Sequence, residues 1–203
     1  VTEEGERILG DLKEYVRELR GLSELERRLA RLLGLQQVII VPGDSDEDET
    51  VKKEMAKATA KYLKAVLQDG DVMAVTGGTT LAEVARSFPA SAERLDVMVV
   101  PARGGLGEEV EKQANTVAAN IAERLGGTYR LLHVPDDVGE DVIASLCGDP
   151  KIKEMLDLVK NADVVLHGIG TAEEMARRRG LGEEDLQLLR ERRAVGEAFG
   201  YYF

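Results

Sequence analysis

From Gln36 onward the chain repeats one unit: a short run of Val, Ile, Leu or Met with little polar interruption, a turn, and an amphipathic helical pattern. The runs are Gln37–Val41, Val72–Thr76, Asp96–Pro101, Thr128–Val134 and Asp163–Gly168. A strand apolar on both faces has to be covered on both, which is the condition of a parallel sheet between two layers of helices. Between the runs, apolar residues at three- and four-residue spacing predict helices over Val51–Leu67, Leu81–Ser87, Glu108–Leu125, Asp141–Leu146, Pro150–Lys160, Ala172–Arg178 and Glu183–Arg192. Strand and helix alternating in this way give an open, doubly wound, mostly parallel α/β sheet with helices on both faces.

A length of 203 residues suits one such domain. Ahead of it, Thr2–Leu33 reads as helix, with Ile8, Leu12, Tyr15, Val16, Leu19, Leu22, Leu25, Leu29, Leu32 and Leu33 on the apolar stripe. Gly21 breaks that helix, and Ser23 is the candidate cap of its second half. The organisation expected is therefore an N-terminal helical linker or dimerisation segment over 1–34 and a ligand-binding domain over 35–203. The opening at Val1, without Met, reads as a start partway through a longer protein.

A formal net charge of −11 makes the domain repel a phosphate backbone, so general electrostatics does not bring it to DNA. With 4% aromatic residues and no Trp there is little to stack bases on. The single cysteine, Cys147, excludes an internal disulfide and a cysteine-built zinc cage, and fits a reducing compartment. Two histidines without matching ligand spacing argue against a transition-metal site, and no cofactor motif is present. No apolar run reaches the ~20 residues that cross a bilayer, and the expected location is the cytoplasm. The acidic stretch Gly43–Glu49 leads into a helix, where its carboxylates meet the positive end of the dipole and cap it.

In a doubly wound sheet, ligands bind outside the carboxyl ends of the strands. After Val72–Val75 comes Thr76-Gly77-Gly78-Thr79-Thr80, running straight into a helix. Two glycines allow close backbone approach, two hydroxyls add donors, and the free amides of a helix start favour an anion. The segment is a phosphate cradle or a tight turn with a Thr cap; it has neither the Lys of a Walker loop nor dinucleotide glycine spacing. After the next strand, Arg103 stands among Gly104, Gly105 and Gly107, where its fork suits phosphate oxygens or a neighbouring carboxylate. Gln113 and Asn115 either face the crevice and bind sugar hydroxyls or sit on an exposed helix face. The run Leu166-His167-Gly168-Ile169-Gly170-Thr171 offers two more glycines at a strand end, with His167 reading as a packed histidine. Glu197, between Gly196 and Ala198, is an acceptor for a sugar hydroxyl or an exposed turn carboxylate, and the aromatic end Tyr201-Tyr202-Phe203 reads as the start of a strand.

Taken in order, Ala74-Val-Thr-Gly-Gly-Thr-Thr80, Val100-Pro-Ala-Arg-Gly-Gly-Leu-Gly-Glu108, Gln113-Ala-Asn-Thr116, His167-Gly-Ile-Gly170, Met175-Ala-Arg-Arg178 and Glu197-Ala-Phe-Gly-Tyr-Tyr-Phe203 resemble the sorbitol-operon regulator family of bacterial transcription regulators. The resemblance implies an effector-binding domain with the fold of sugar-phosphate isomerases and deaminases but without their activity. It implies a repressor of glycolytic genes that senses a phosphorylated sugar such as fructose 1,6-bisphosphate. By position it implies that Gly77, Gly78, Thr79 and Thr80 hold a phosphate beside Arg103, Gly104 and Gly105, that Gln113 and Glu197 contact the sugar, and that Gly168 and Gly170 border the site. Operator DNA would be reached only through a DNA-binding domain outside this sequence, and the protein is expected to be a homo-oligomer. In the family the chain runs past Phe203 with further strand–helix units. The competing reading is a sugar-phosphate isomerase or deaminase, for which Glu108 and Glu109 are the candidate bases; the reading adopted is a regulator, with no catalytic residue.

Overall fold

The computed structural model describes residues 2–89, 94–104, 109–134 and 148–203. The expected helix Asp141–Leu146, Cys147, Gly105 and Glu108 lie outside the described residues. The chain forms two compact units, Val1–Val51 and Lys52–Phe203.

In the first unit, α1 (Glu3–Leu19) starts on Thr2, whose hydroxyl accepts from the Gly5 amide at 3.2 Å. α2 (Leu22–Leu33) follows directly from a left-handed turn at Gly21, so Ser23 lies inside the helix and does not cap it. The run Gln37–Val41, expected as a strand, has no regular structure. Its backbone is taken by helix side chains: the Ile40 amide donates to Glu26 Oε1 at 2.6 Å, and Arg17 donates to the Ile40 carbonyl at 2.8 Å. Arg17 also pairs with Glu26, so this ion pair occupies both polar groups that a strand ladder would have used. The acidic loop then caps α3 (Glu49–Val66): Asp48 Oδ1 accepts from the Thr50 amide at 2.8 Å and its hydroxyl at 2.7 Å.

The second unit is built on β1 (Val72–Val75), β2 (Met98–Pro101), β3 (Thr128–Tyr129) and β4 (Val164–Leu166), all parallel in the order β3-β2-β1-β4. The register pairs Val75 with both Pro101 and Leu166, so the carboxyl ends of β1, β2 and β4 lie level. Alternation along the strands sends Met73, Val75, Val97 and Val99 to one face. There they pack with α3, α4 (Thr79–Ser87) and α5 (Ala114–Leu125) through Ala60, Leu63, Val84, Val117 and Ile121. Ala74 and Val100 face the other way, against Met155, Leu158 and Val159 of α6 (Pro150–Lys160). Both faces of the central strands β1 and β2 are therefore covered, as their unbroken apolar runs require, whereas Tyr129 of β3 and Val165 of β4 are exposed.

The connections through α4 and α5 step outward from β1 to β3, whereas the chain returns through α6 to β4 on the other side of β1. The strand order thus reverses between β1 and β4, which opens a crevice at their carboxyl ends. A separate antiparallel sheet, β5 (Ile169–Thr171), β6 (Gly196–Ala198) and β7 (Tyr201–Tyr202), follows β4 directly, with α7 (Ala172–Arg178) and α8 (Glu183–Glu191) inserted between β5 and β6. The aromatic end of the sequence is thus the second arm of a hairpin.

Candidate functional site

Gly78 leads from β1 into α4 with φ 118°, a backbone angle open to glycine and strained for other residues. The first intrahelical bond runs from Ala82 N to Gly78 O at 3.0 Å, so the amides of Thr79, Thr80 and Leu81 have no acceptor within the helix. They lie at the rim of the crevice, on the positive end of the helix, with the half-buried Thr79 and Thr80 side chains on the same turn. The helix starts two residues earlier than its apolar pattern indicates, which brings both threonines into the first turn.

Gly77 has a different reason for being glycine. A Cβ there would collide with the Lys112 carbonyl oxygen and come within 3.0 Å of the Ala114 amide. The Gly78 amide in turn donates to Lys112 O at 2.8 Å. The amide of Gly78 is therefore committed to the 3-10 turn Val110–Lys112, and its part in the cradle is the path of the backbone. The same contact sets Gln113, the residue that caps α5, against the cradle. Asn115 points elsewhere: its Nδ2 donates to Leu132 O at 2.9 Å and its Oδ1 accepts from Leu132 N at 3.0 Å. It is a structural residue, and neither of its sequence readings describes it.

Arg103 lies two residues beyond β2, half-buried, with Gly104 next to it. The neighbouring strand end is joined to it through Ala102 N donating to Val75 O at 2.7 Å. Across the crevice, the β6–β7 hairpin turns through Phe199 and Gly200, at φ 58° and 93°. A side chain on Gly200 would stand 3.7 Å from Arg179 Nη1 and 4.0 Å from Arg103 Nη1, so two guanidinium groups converge on this turn. Glu197 answers them: buried at 4% exposure, its Oε1 accepts from Arg179 Nη2 at 2.5 Å and from the Gly200 amide at 2.5 Å. It is a buried, fixed acceptor, which decides against the exposed-turn reading.

The β4 end completes the crevice. Gly168 approaches Leu81 of α4, a Cβ there standing 3.7 Å from Leu81 Cδ2. His167 packs edge-on to Phe199 with ring centroids 6.1 Å apart, while its Nδ1 lies 3.0 Å from Gly168 O. Gly170 is paired with Glu197 across β5 and β6, and the space beside it is filled by Met175, 2.6 Å from where a Cβ would sit. Glu109, one of the two candidate bases, is exposed and ion-paired with Lys112 at 2.9 Å.

The fold therefore brings Gly77–Thr80 and Gln113 together, sets Gly168 against Leu81 at the start of α4, and brings Arg103 to the turn that Glu197 holds. Arg179 and Tyr202 are residues the sequence reading missed. Arg179 sits over the Tyr202 ring, 5.7 Å from its centroid, and pairs with Glu197. One signal was available: Arg177 and Arg178 each have an acid four residues earlier, Glu173 and Glu174, and pair with it, whereas Arg179 has Met175 there.

Residues 17–203 match the family model described as "Putative sugar-binding domain". The chain belongs to the sugar-binding domain family of the sorbitol-operon regulators. It is 47% identical over 204 residues to the central glycolytic genes regulator of Priestia megaterium, and 44% identical over 203 residues to that of Bacillus subtilis. Each match takes in 100% of this chain and 60% of the relative, so the chain spans about three fifths of those proteins. Among solved structures, a SorC family transcriptional regulator from Enterococcus faecalis superposes with a TM-score of 0.79 at 38% identity, covering 89% of this chain and 74% of that one. The sorbitol operon regulator SorC from Klebsiella pneumoniae shares the fold with a TM-score of 0.80 at 22% identity, over 88% of this chain and 60% of that one. The chain is thus a sugar-binding domain of the type found in transcriptional regulators of glycolytic genes.

Proposed function

We propose that this domain is the effector sensor of a repressor of glycolytic genes, and that its effector is a phosphorylated sugar such as fructose 1,6-bisphosphate, bound without turnover. The observation that carries the reading is the pairing of two kinds of group on one rim. The amides and hydroxyls at the start of α4, which have no partner among the described residues, suit a phosphate, and the buried Glu197 suits a sugar hydroxyl. Arg103, from the adjacent strand end, adds a bidentate donor for a dianion in a body that is acidic overall. In this reading Gly104 and Gly105 accompany Arg103 beside the phosphate, Gln113 contacts the sugar, and Gly168 and Gly170 border the site.

An effector shifts a regulator only by its differential affinity for two arrangements. We assign those arrangements to a homo-oligomer in the cytoplasm, which touches operator DNA through a separate domain.

Calorimetric titration of the domain with fructose 1,6-bisphosphate, fructose 6-phosphate and dihydroxyacetone phosphate tests the proposal. Saturable one-to-one binding is expected, weakened by more than about tenfold in a Thr79→Ala/Thr80→Ala variant and in Arg103→Ala, since a charge-assisted bond contributes ~1.5–3 kcal/mol. Wild-type affinity in both variants, or conversion of fructose 6-phosphate or glucosamine 6-phosphate by the domain, overturns it.

A further inference from the structure

We infer that Arg179 is the positioning residue of this site: it fixes the carboxylate of Glu197, and through it the β6–β7 turn, so that ligand affinity depends on Arg179 without Arg179 touching the ligand. The inference rests on the reading of the rim as a phosphosugar site.

Glu197 Oε1 accepts from Arg179 Nη2 and from the Gly200 amide, both at 2.5 Å. One oxygen therefore ties the end of α7 to the tip of the hairpin. Side-chain exposures of 13% for Arg179 and 5% for Glu197 leave the pair largely buried. A buried pair is costly to break from one side, because the remaining charge is left without compensation. The turn that this oxygen holds is not held by its own geometry. Phe199 at φ 58° is a strained position for an aromatic residue, and such a position persists only where the surroundings over-determine it. Here the surroundings are the Glu197 carboxylate under Gly200 and His167 against the Phe199 ring.

Among the described residues, charged and titratable groups near the pair come from several elements. Arg179 follows α7, Arg103 follows β2, Tyr202 lies on β7 beneath the Arg179 guanidinium, and His167 follows β4. Arg103 and Arg179 both approach Gly200, and Arg179 is ion-paired with Glu197. Without Arg179, Glu197 loses the ion-pair partner that orients it, and the site loses its oriented acceptor.

The experiment compares Arg179→Gln, Arg179→Lys, Glu197→Gln and the double variant Arg179→Gln/Glu197→Gln with wild type. Two readouts are taken well below the melting temperature of each: fructose 1,6-bisphosphate affinity by calorimetry, and ligand-free hydrogen exchange of the amides of 196–202. If Arg179 acts through Glu197, Arg179→Gln weakens binding by about tenfold or more, Arg179→Lys recovers part of it, and the double variant is no worse than the poorer single. Hairpin exchange in Arg179→Gln accelerates, with that of α4 and α5 unchanged. Losses that multiply in the double variant would show Arg179 contacting the ligand itself and overturn the inference. So would wild-type affinity and exchange in folded Arg179→Gln. Should wild type bind no phosphosugar at all, the proposed function fails by itself, and the exchange readout still decides whether Arg179 holds the turn.

Discussion

Asn115 of α5 holds the backbone of Leu132 with both ends of its amide, donating to the carbonyl and accepting from the N–H. The arrangement copies the pair of bonds that a neighbouring strand would have made, at the point where β3 has stopped. Replacing Asn115 by Ala leaves two part-buried backbone groups without partners, a loss of about 1–3 kcal/mol. Urea unfolding is expected to show a lower midpoint at unchanged slope. Ligand affinity measured on the remaining folded protein should stay at the wild-type value, because Asn115 faces away from the cradle.

Gly77→Ala tests the cradle from the side of sterics. The new Cβ meets a backbone carbonyl and a backbone amide, not the end of a flexible side chain, so the loop itself has to shift. A loss of roughly 1–3 kcal/mol in stability is expected. Phosphosugar affinity should fall with it, since the amides of Thr79 and Thr80 move with the loop. A variant that binds normally would show that the amides at the start of α4 are not the phosphate site.

Gly200→Ala probes the opposite wall. Its φ of 93° disfavours any side chain by ~1–2 kcal/mol, and the methyl group would lie against Arg179. The expected result is a lower melting temperature together with faster exchange in the hairpin, with no change in the α3–β1 region.

Asp48 links stability to pH. Its carboxyl is held below the usual carboxylate value of 3.8, first by the Thr50 hydroxyl and then by the Thr50 amide. Because the folded state prefers the ionised form, this stabilisation is complete above the ordinary Asp range and disappears as pH falls through the lowered folded value. Thr50→Val removes the larger cause, and an NMR titration of Asp48 is expected to move upward toward the ordinary value. Asp48→Asn keeps the cap while abolishing the titration.

The parallel sheet was legible because its strands are apolar on both faces, a pattern that little else in a soluble protein produces. Gln37–Val41 carries the same pattern and is not a strand, because the ion pair of Arg17 and Glu26 claims the backbone of Ile40 from two helices at once. No local composition announces such a pair. Thr128–Val134 likewise stops pairing after Tyr129, since a side chain on α5 replaces the ladder. At the site, glycines and threonines after a strand were visible because their spacing is local. Arg179 was hidden because its partner lies 18 residues further on, beyond a whole helix.

The carbonyl of Lys112 lies against Gly77 and accepts from Gly78, so the cradle and the foot of α5 form one rigid joint. A helix of twelve residues is about 18 Å long. The loop at one rim of the sheet is thereby joined to a rod whose far tip, Leu125, accepts from the Leu95 amide ahead of β2, so a displacement of the loop would be expected to reach that end as well.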